Sequence, residues 1–205
     1  MTKGILLVGR MGTGKTAIAR ELEKTHGFKH HSLAGHLKAM ARIFLGRDIN
    51  KKLDRKFLQL LGQAVRDGIN KNYWCSILAE DLEKNDVVVI DDCRFKNEIE
   101  FFNGFMVVDL YCGDATRIQR LMKRDGITEE EIRESEKDIS ETELRTGLQA
   151  DLILDTARKS PEELAKEIAQ VFNESQRIEY GGCNCANCYR MHAVEEGMKE
   201  AKEAI

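Results

Sequence analysis

Four short apolar runs punctuate the chain: ILLV at 5–8, VVVI at 87–90, FMVVDLY at 105–111 and LILD at 152–155. A fifth, weaker strand candidate is FKHHSL at 28–33. Between them lie amphipathic stretches that predict helices over 15–25, 34–46, 53–67, 73–84, 95–102, 114–124, 129–138 and 161–173. Thr128 with Glu131, Ser140 with Glu143 and Ser160 with Glu163 stand at capping-box spacing, and Pro161 takes a first helical position. Strands that alternate with helices predict a five-stranded parallel sheet covered on both faces, a three-layer α/β/α sandwich.

Composition sharpens this picture in three places. A length of 205 residues allows one substantial core plus an appendage. The formal charge of -3 offers no general attraction to nucleic acid or anionic lipid. The opening MTKGILLVG carries an apolar run of only four residues, and no later run approaches the roughly 20 needed to cross a bilayer. A cytoplasmic protein is expected, so its six cysteines should stay reduced. Cys75, Cys93 and Cys112 are isolated and read as small core residues. The expected organisation is a main domain over 1–172, a polar connector over 173–180 and a cysteine-rich appendage over 181–205.

The chemistry starts at GRMGTGKT. Gly9, Gly14, Lys15 and Thr16 fit G-x-x-x-x-G-K-S/T directly after a strand and before a helix. The loop, with Met11, Gly12 and Thr13 at its centre, would turn backbone N–H groups toward ATP phosphates at a helix start, where the helix dipole favours negative charge. Lys15 would reach the β- and γ-phosphates, and the Thr16 hydroxyl would hold Mg²⁺.

A second strand ends in Asp91 and Asp92, where a phosphate-loop enzyme needs a carboxylate for Mg²⁺. The same pair could serve as turn and cap residues. Arg94, two positions on, would grip a phosphate bidentately, or else pair with Glu98 one helical turn away.

The segment IDDCRFKNEIEFF resembles the D-x-R-F-x-N-E signature of phage-type deoxynucleoside monophosphate kinases, through Asp92, Arg94, Phe95, Asn97 and Glu98. Residues 54–78, RESE at 133–136 and ADLILDT at 151–157 are similar to further segments of that family, so the resemblance runs over about residues 4–172. It implies a nucleoside monophosphate kinase fold and transfer of the ATP γ-phosphoryl group to a deoxynucleoside monophosphate, giving ADP and the diphosphate. Three positions depart from the family pattern: Thr16 stands where many members have Asp, LAGHLK (33–38) lacks the acidic residue and proline, and Arg133 replaces a histidine. Residues 115–132 also resemble the lid of dephospho-coenzyme A kinases, which makes that acceptor the competing one. A third alternative is an NTP-binding adaptor whose tail recruits a partner.

Within this frame Lys15, Asp92, Arg94, Arg120 and Arg124 are the candidate catalytic residues. Arg117, Arg120 and Arg124, spaced by three and four, would face one way as a lid over ATP, with Arg120 on the nucleotide; the alternative is an exposed basic face. Lys38, Arg42, Arg55, Arg66 and Arg94 would meet the acceptor phosphate, Gln59 and Gln63 its base edge, and Trp74 would either stack on the base or fill core. The histidines at 26, 30, 31 and 36 show no ligand spacing. In the tail, Cys183, Cys185, Cys188 and His192 would supply four ligands for one structural Zn²⁺, the alternative being a reduced tail without metal. That tail lacks the basic footprint for nucleic acid, and the sequence leaves monomer and homodimer open.

Overall fold

The ILLV run becomes the middle of the sheet. In the computed structural model, which describes residues 3–50, 53–137 and 148–179, strand β1 (Lys3–Val8) has Ile5 to Val8 fully buried. It pairs in parallel with β3 (Val87–Ile90) on one side and β4 (Met106–Tyr111) on the other. Strands β2 (Lys29–His31) and β5 (Leu152–Asp155) close the edges, giving the order β2-β3-β1-β4-β5 with every pairing parallel. All strand ends therefore share one edge. Chain direction across the sheet reverses about β1, which places the ligand crevice of such a sheet at its carboxyl end.

The helices are α1 (Lys15–His26), α2 (Leu33–Leu45), α3 (Arg55–Gly68), α4 (Tyr73–Asp81), α5 (Lys96–Phe101), α6 (Asp114–Asp125), α7 (Glu129–Ser135) and α8 (Pro161–Glu179). Two start signals work as expected. Thr128 Oγ1 accepts from Glu131 N–H at 3.2 Å while Glu131 accepts from Thr128 N–H at 2.8 Å, and Ser160 and Glu163 repeat the exchange at 3.2 and 2.8 Å. The Ser140–Glu143 pair lies outside the described residues. Helix α4 stops at Asp81 rather than 84, because Leu82 is extended (φ -77°, ψ 123°). Helix α8 instead runs through the expected connector to Glu179: NESQRIE contains neither proline nor glycine to end it. The chain divides into two units, Met1–Ala169 and Gln170–Ile205.

One core cluster joins the sheet to α2, α4 and α5 through Leu6, Leu33, Leu78, Ile90 and Phe102. Cys75 and Cys93 belong to it, and burial pushes the Cys75 thiol up to about 12 and Cys93 well above its ordinary value, so both are inert fillers. Trp74 is core as well. It is 3% exposed, and its Nε1–H donates to Gly62 O at 3.3 Å, so it is not available to stack on a base.

Candidate active site

The phosphate loop is shaped by two close approaches. Gly9 has φ +134°, and a Cβ there would stand 2.2 Å from Leu110 O; Gly12 has φ +89°, and a Cβ would stand 2.8 Å from Arg117 Cγ. Only glycine permits both the backbone angles and the contacts. Thr13, 1% exposed, turns its hydroxyl inward to Arg10 O at 2.9 Å. Helix α1 then begins at Lys15, with Ala17 and Ile18 N–H donating to Gly14 O at 3.0 and 3.1 Å. Lys15 Nζ rests on the loop's own carbonyls, donating to Gly9 O at 2.6 Å and Arg10 O at 3.0 Å.

The two strand-end carboxylates separate into different tasks. Asp91, 6% exposed, receives a hydrogen bond from Thr16 and lies 3.0 Å from His30 Nε2. Burial alone would raise its pKa, yet His30, Thr16 and the charge of Lys15 hold it below the ordinary carboxylate value. The same contact with Asp91 raises His30, against the opposing effect of burial. Asp92 points elsewhere: its carboxylate accepts from Ser32 Oγ at 2.6 Å, Leu33 N–H at 2.8 Å and Ala34 N–H at 2.9 Å. It caps α2, which corrects the expectation that Asp92 faces Mg²⁺ or the reacting phosphate. Asp92→Ala should cost about 1–2 kcal/mol in urea unfolding; a loss under about 0.3 kcal/mol would contradict the cap.

The arginines are redistributed too. Glu98, 1% exposed, pairs with Arg66 and accepts from Arg94 N–H at 2.6 Å and Phe95 N–H at 3.1 Å. Arg66 also lies 3.9 Å over the Phe95 ring and donates to Lys71 O at 3.2 Å. Arg66 is spent on this fastening, contrary to the acceptor role expected of it. Asn97 completes the fastening by donating to Lys71 O at 3.0 Å and Asn72 Oδ1 at 2.8 Å. Phe95, Asn97 and Glu98 of the kinase-like signature therefore bind the β3–α5 turn to α3 and α4, leaving Arg94 exposed at the strand end.

The row 117, 120 and 124 does not face one way. Arg117 has no exposure and donates to Met11 O at 3.1 Å and Asp114 Oδ1 at 3.1 Å, so it is a buried support of the loop rather than a lid residue. Arg120 donates to Thr156 Oγ1 at 3.0 Å and Thr156 O at 2.7 Å, with Nη1 4.0 Å from the position of a Gly14 Cβ. Arg124 donates to Asp125 at 2.8 and 2.6 Å and lines an open cavity of about 1060 Å³.

Arg55, Lys56 and Gln59 of α3 form one wall of this cavity, and Arg124, Asp125 and Ile127 another. Arg55 Nη1 lies 3.3 Å from Met11 Sδ and its Nη2 3.9 Å from Asp125, so the cavity adjoins the phosphate loop. Lys38, Arg42, Gln63, Arg66, Trp74 and Arg94 are not among its described lining residues. Gln63 donates to Asp67 on its own helix at 2.8 Å, and Arg42 lies 3.3 Å from Asp48. His30, Arg10, Asp125 and Thr156 join the site without a local motif to announce them; each is brought in by strand order or helix packing.

Thr16 and Asp91 offer hard oxygen donors beside the loop, a donor set that fits Mg²⁺. Among the described residues no group of three or more His, Cys, Asp or Glu is arranged to hold a metal ion. Cys183, Cys185, Cys188 and His192 lie outside the described residues. Among the described residues no helix is long and apolar enough to cross a membrane.

Comparison with known proteins agrees with this architecture. The chain is similar to a shikimate kinase from Acinetobacter baumannii (TM-score 0.56, 21% identity, covering 85% of this chain and 95% of that one). It is also similar to a gluconokinase from Sinorhizobium meliloti 1021 (TM-score 0.55, 14% identity, covering 87% and 95%). At these identities the likeness concerns the fold. The UPF0200 protein TV0279 of Thermoplasma volcanium is 26% identical over 125 residues, 59% of this chain and 66% of the relative. The chain spans between 42% and 66% of the length of the curated relatives it matches. A P-loop kinase-like fold of this kind implies ATP and Mg²⁺ as ligands. The family model described as an AAA domain covers residues 5–141, so the chain belongs to the AAA_18 family.

Proposed function

We propose that the protein is an ATP- and Mg²⁺-dependent phosphotransferase that moves the γ-phosphoryl group to a deoxynucleoside monophosphate. The observation that carries this reading is the pair of cations on different walls of one cavity, Arg55 and Arg124, with Arg55 in contact with the phosphate loop through Met11. An acceptor phosphate held between them would stand beside the terminal phosphate of ATP. Gly9, Met11, Gly12, Thr13 and Gly14 wrap the donor phosphates, Lys15 neutralises them, and Arg120 flanks the nucleotide. Thr16 and Asp91 would hold Mg²⁺, which shields the negative charge of the transferring group when bound. The attacking atom is an oxygen of the acceptor's phosphate, already ionised at neutral pH, so alignment and charge neutralisation suffice without a strong base. Gln59 is the cavity residue placed to read a base edge. Lys38, Arg42 and Arg94, which are not among the cavity's described lining residues, complete the set of candidate acceptor cations.

Residues 1–172 form the kinase region in this reading. Cys183, Cys185, Cys188 and His192 form a separate zinc clip, which metal analysis of the purified full chain checks. One zinc per chain is the expected content, and a metal-free chain contradicts the clip.

Coupled ADP release over the four deoxynucleoside monophosphates, dephospho-coenzyme A, shikimate and gluconate tests the acceptor class. A deoxynucleoside monophosphate should give the highest kcat/KM. Preference for dephospho-coenzyme A would replace the proposed acceptor, and no stimulation by any of them would favour an NTP-binding adaptor.

A further inference from the structure

The tip of the phosphate loop is gripped by an ionic cluster that the transfer reaction itself does not require. Arg10 Nη1 donates to Asp114 Oδ1 at 2.6 Å, and its Nη2 donates to Glu136 Oε2 at 3.0 Å. Arg117 reaches the same two carboxylates and also Met11 O, and Arg133 lies 3.3 Å from Asp114 Oδ2. Glu136, whose side chain is 9% exposed, thus turns one oxygen to an arginine of the loop and the other to an arginine of α6.

Apolar packing fixes the same group of elements. Ile132 of α7 is fully buried with Ile118, Leu121 and Ile127, and Met11 of the loop packs on that cluster. Gly12 presses on Arg117 and Leu121 so closely that a Cβ would stand 2.8 and 2.9 Å from them. On the other side of α7, Glu131, Glu134 and Ser135 line the cavity. One short helix therefore touches both the cavity and, through the residue that ends it, the donor loop. Lifting α7 away would strip Arg10 and Arg117 of a shared carboxylate in a water-poor setting, where an unpaired charge is costly.

We propose that Glu136 is a positioning residue for nucleotide binding: acting through Arg10 and Arg117, it holds loop 9–16 in the shape that accepts phosphates, so ATP affinity depends on a docked α7. This rests on reading the loop as the ATP site. Without the Glu136 charge, Arg10 and Arg117 keep only Asp114, an exposed carboxylate that Arg133 also shares, and the loop loses the more buried of its two carboxylate anchors. Small displacements of backbone donors are enough to weaken a phosphate site strongly.

The test is calorimetric titration of MgATP into the full chain and its variants, with far-UV circular dichroism to establish folding. Glu136→Gln should bind ATP more weakly by about tenfold or more, with an unchanged spectrum, and Glu136→Asp should recover part of the loss. Glu129→Gln, which removes a partner of Arg133 on the exposed side of the same helix, should stay within about twofold of wild type. A folded Glu136→Gln that binds ATP within twofold of wild type overturns the proposal. If that variant does not fold, Arg10→Gln decides in the same way, since it cuts the loop arm and leaves the Arg117–Glu136 pair. A wild-type chain that takes up no MgATP would instead contradict the reading of the loop, and the proposal with it.

Discussion

Lys15→Ala is expected to lower kcat for the best acceptor by about 10²- to 10³-fold, the loss typical of removing one preorganised donor from a developing negative charge. Its ammonium donates to Gly9 O and Arg10 O, within the loop that would receive phosphate oxygens. Exchange of carbonyl partners for phosphate oxygens needs no large movement, so the group is ready to follow charge onto the leaving oxygen. Alanine removes that charge and leaves the glycine-shaped turn, which Gly9 and Gly12 define through their own contacts. The thermal midpoint should therefore change little while turnover collapses. Steady-state kinetics with a melting curve checks both parts, and activity within about threefold of wild type would remove Lys15 from the mechanism.

Arg117→Met should instead be mainly a stability defect, costing about 3–5 kcal/mol, because it leaves the largely buried Glu136 carboxylate facing an apolar group. That is a large share of the roughly 5–15 kcal/mol that stabilises a domain. The affected groups are Asp114, Glu136 and the Met11 carbonyl, all named partners of a side chain with no exposure. Adding Glu136→Gln to Arg117→Met should cost less than the two single changes combined, since the first leaves the Glu136 charge with Arg10 as its one named partner and the second removes that charge. Urea unfolding measures this cycle; a single-variant loss below 1 kcal/mol would mean the cluster is decorative.

Local chemistry was readable from the sequence, and partnerships across the sheet were not. The ILLV and VVVI runs, the Thr128 and Ser160 caps and the GRMGTGKT loop each signal their structure within a few residues, and all three kinds of signal are realised. Asp91 and Asp92 look equivalent on paper. Their side chains leave the chain in different directions, so Asp91 meets Thr16 and His30 while Asp92 meets the start of α2.

Arg117, Arg120 and Arg124 illustrate a second limit. Their spacing suggests one helical face, yet three different neighbours claim the three long side chains: the Met11 carbonyl, Thr156 and Asp125. Nearness in sequence misleads at Glu98 as well. Arg94, one turn away, gives its backbone N–H, and Arg66, 32 residues distant, pairs with the carboxylate through its guanidinium. Such a pair follows from the packing of α3 against the β3–α5 turn, which no window of sequence contains.

The transfer we propose runs directly from ATP to a deoxynucleoside monophosphate, and a label on the γ-phosphate follows that group. Incubating the full chain with Mg²⁺, γ-labelled ATP and each deoxynucleoside monophosphate, then separating the nucleotides, should place the label on a deoxynucleoside diphosphate in step with ADP formation. Label that appears only as inorganic phosphate, at a rate indifferent to the acceptor, would contradict the account.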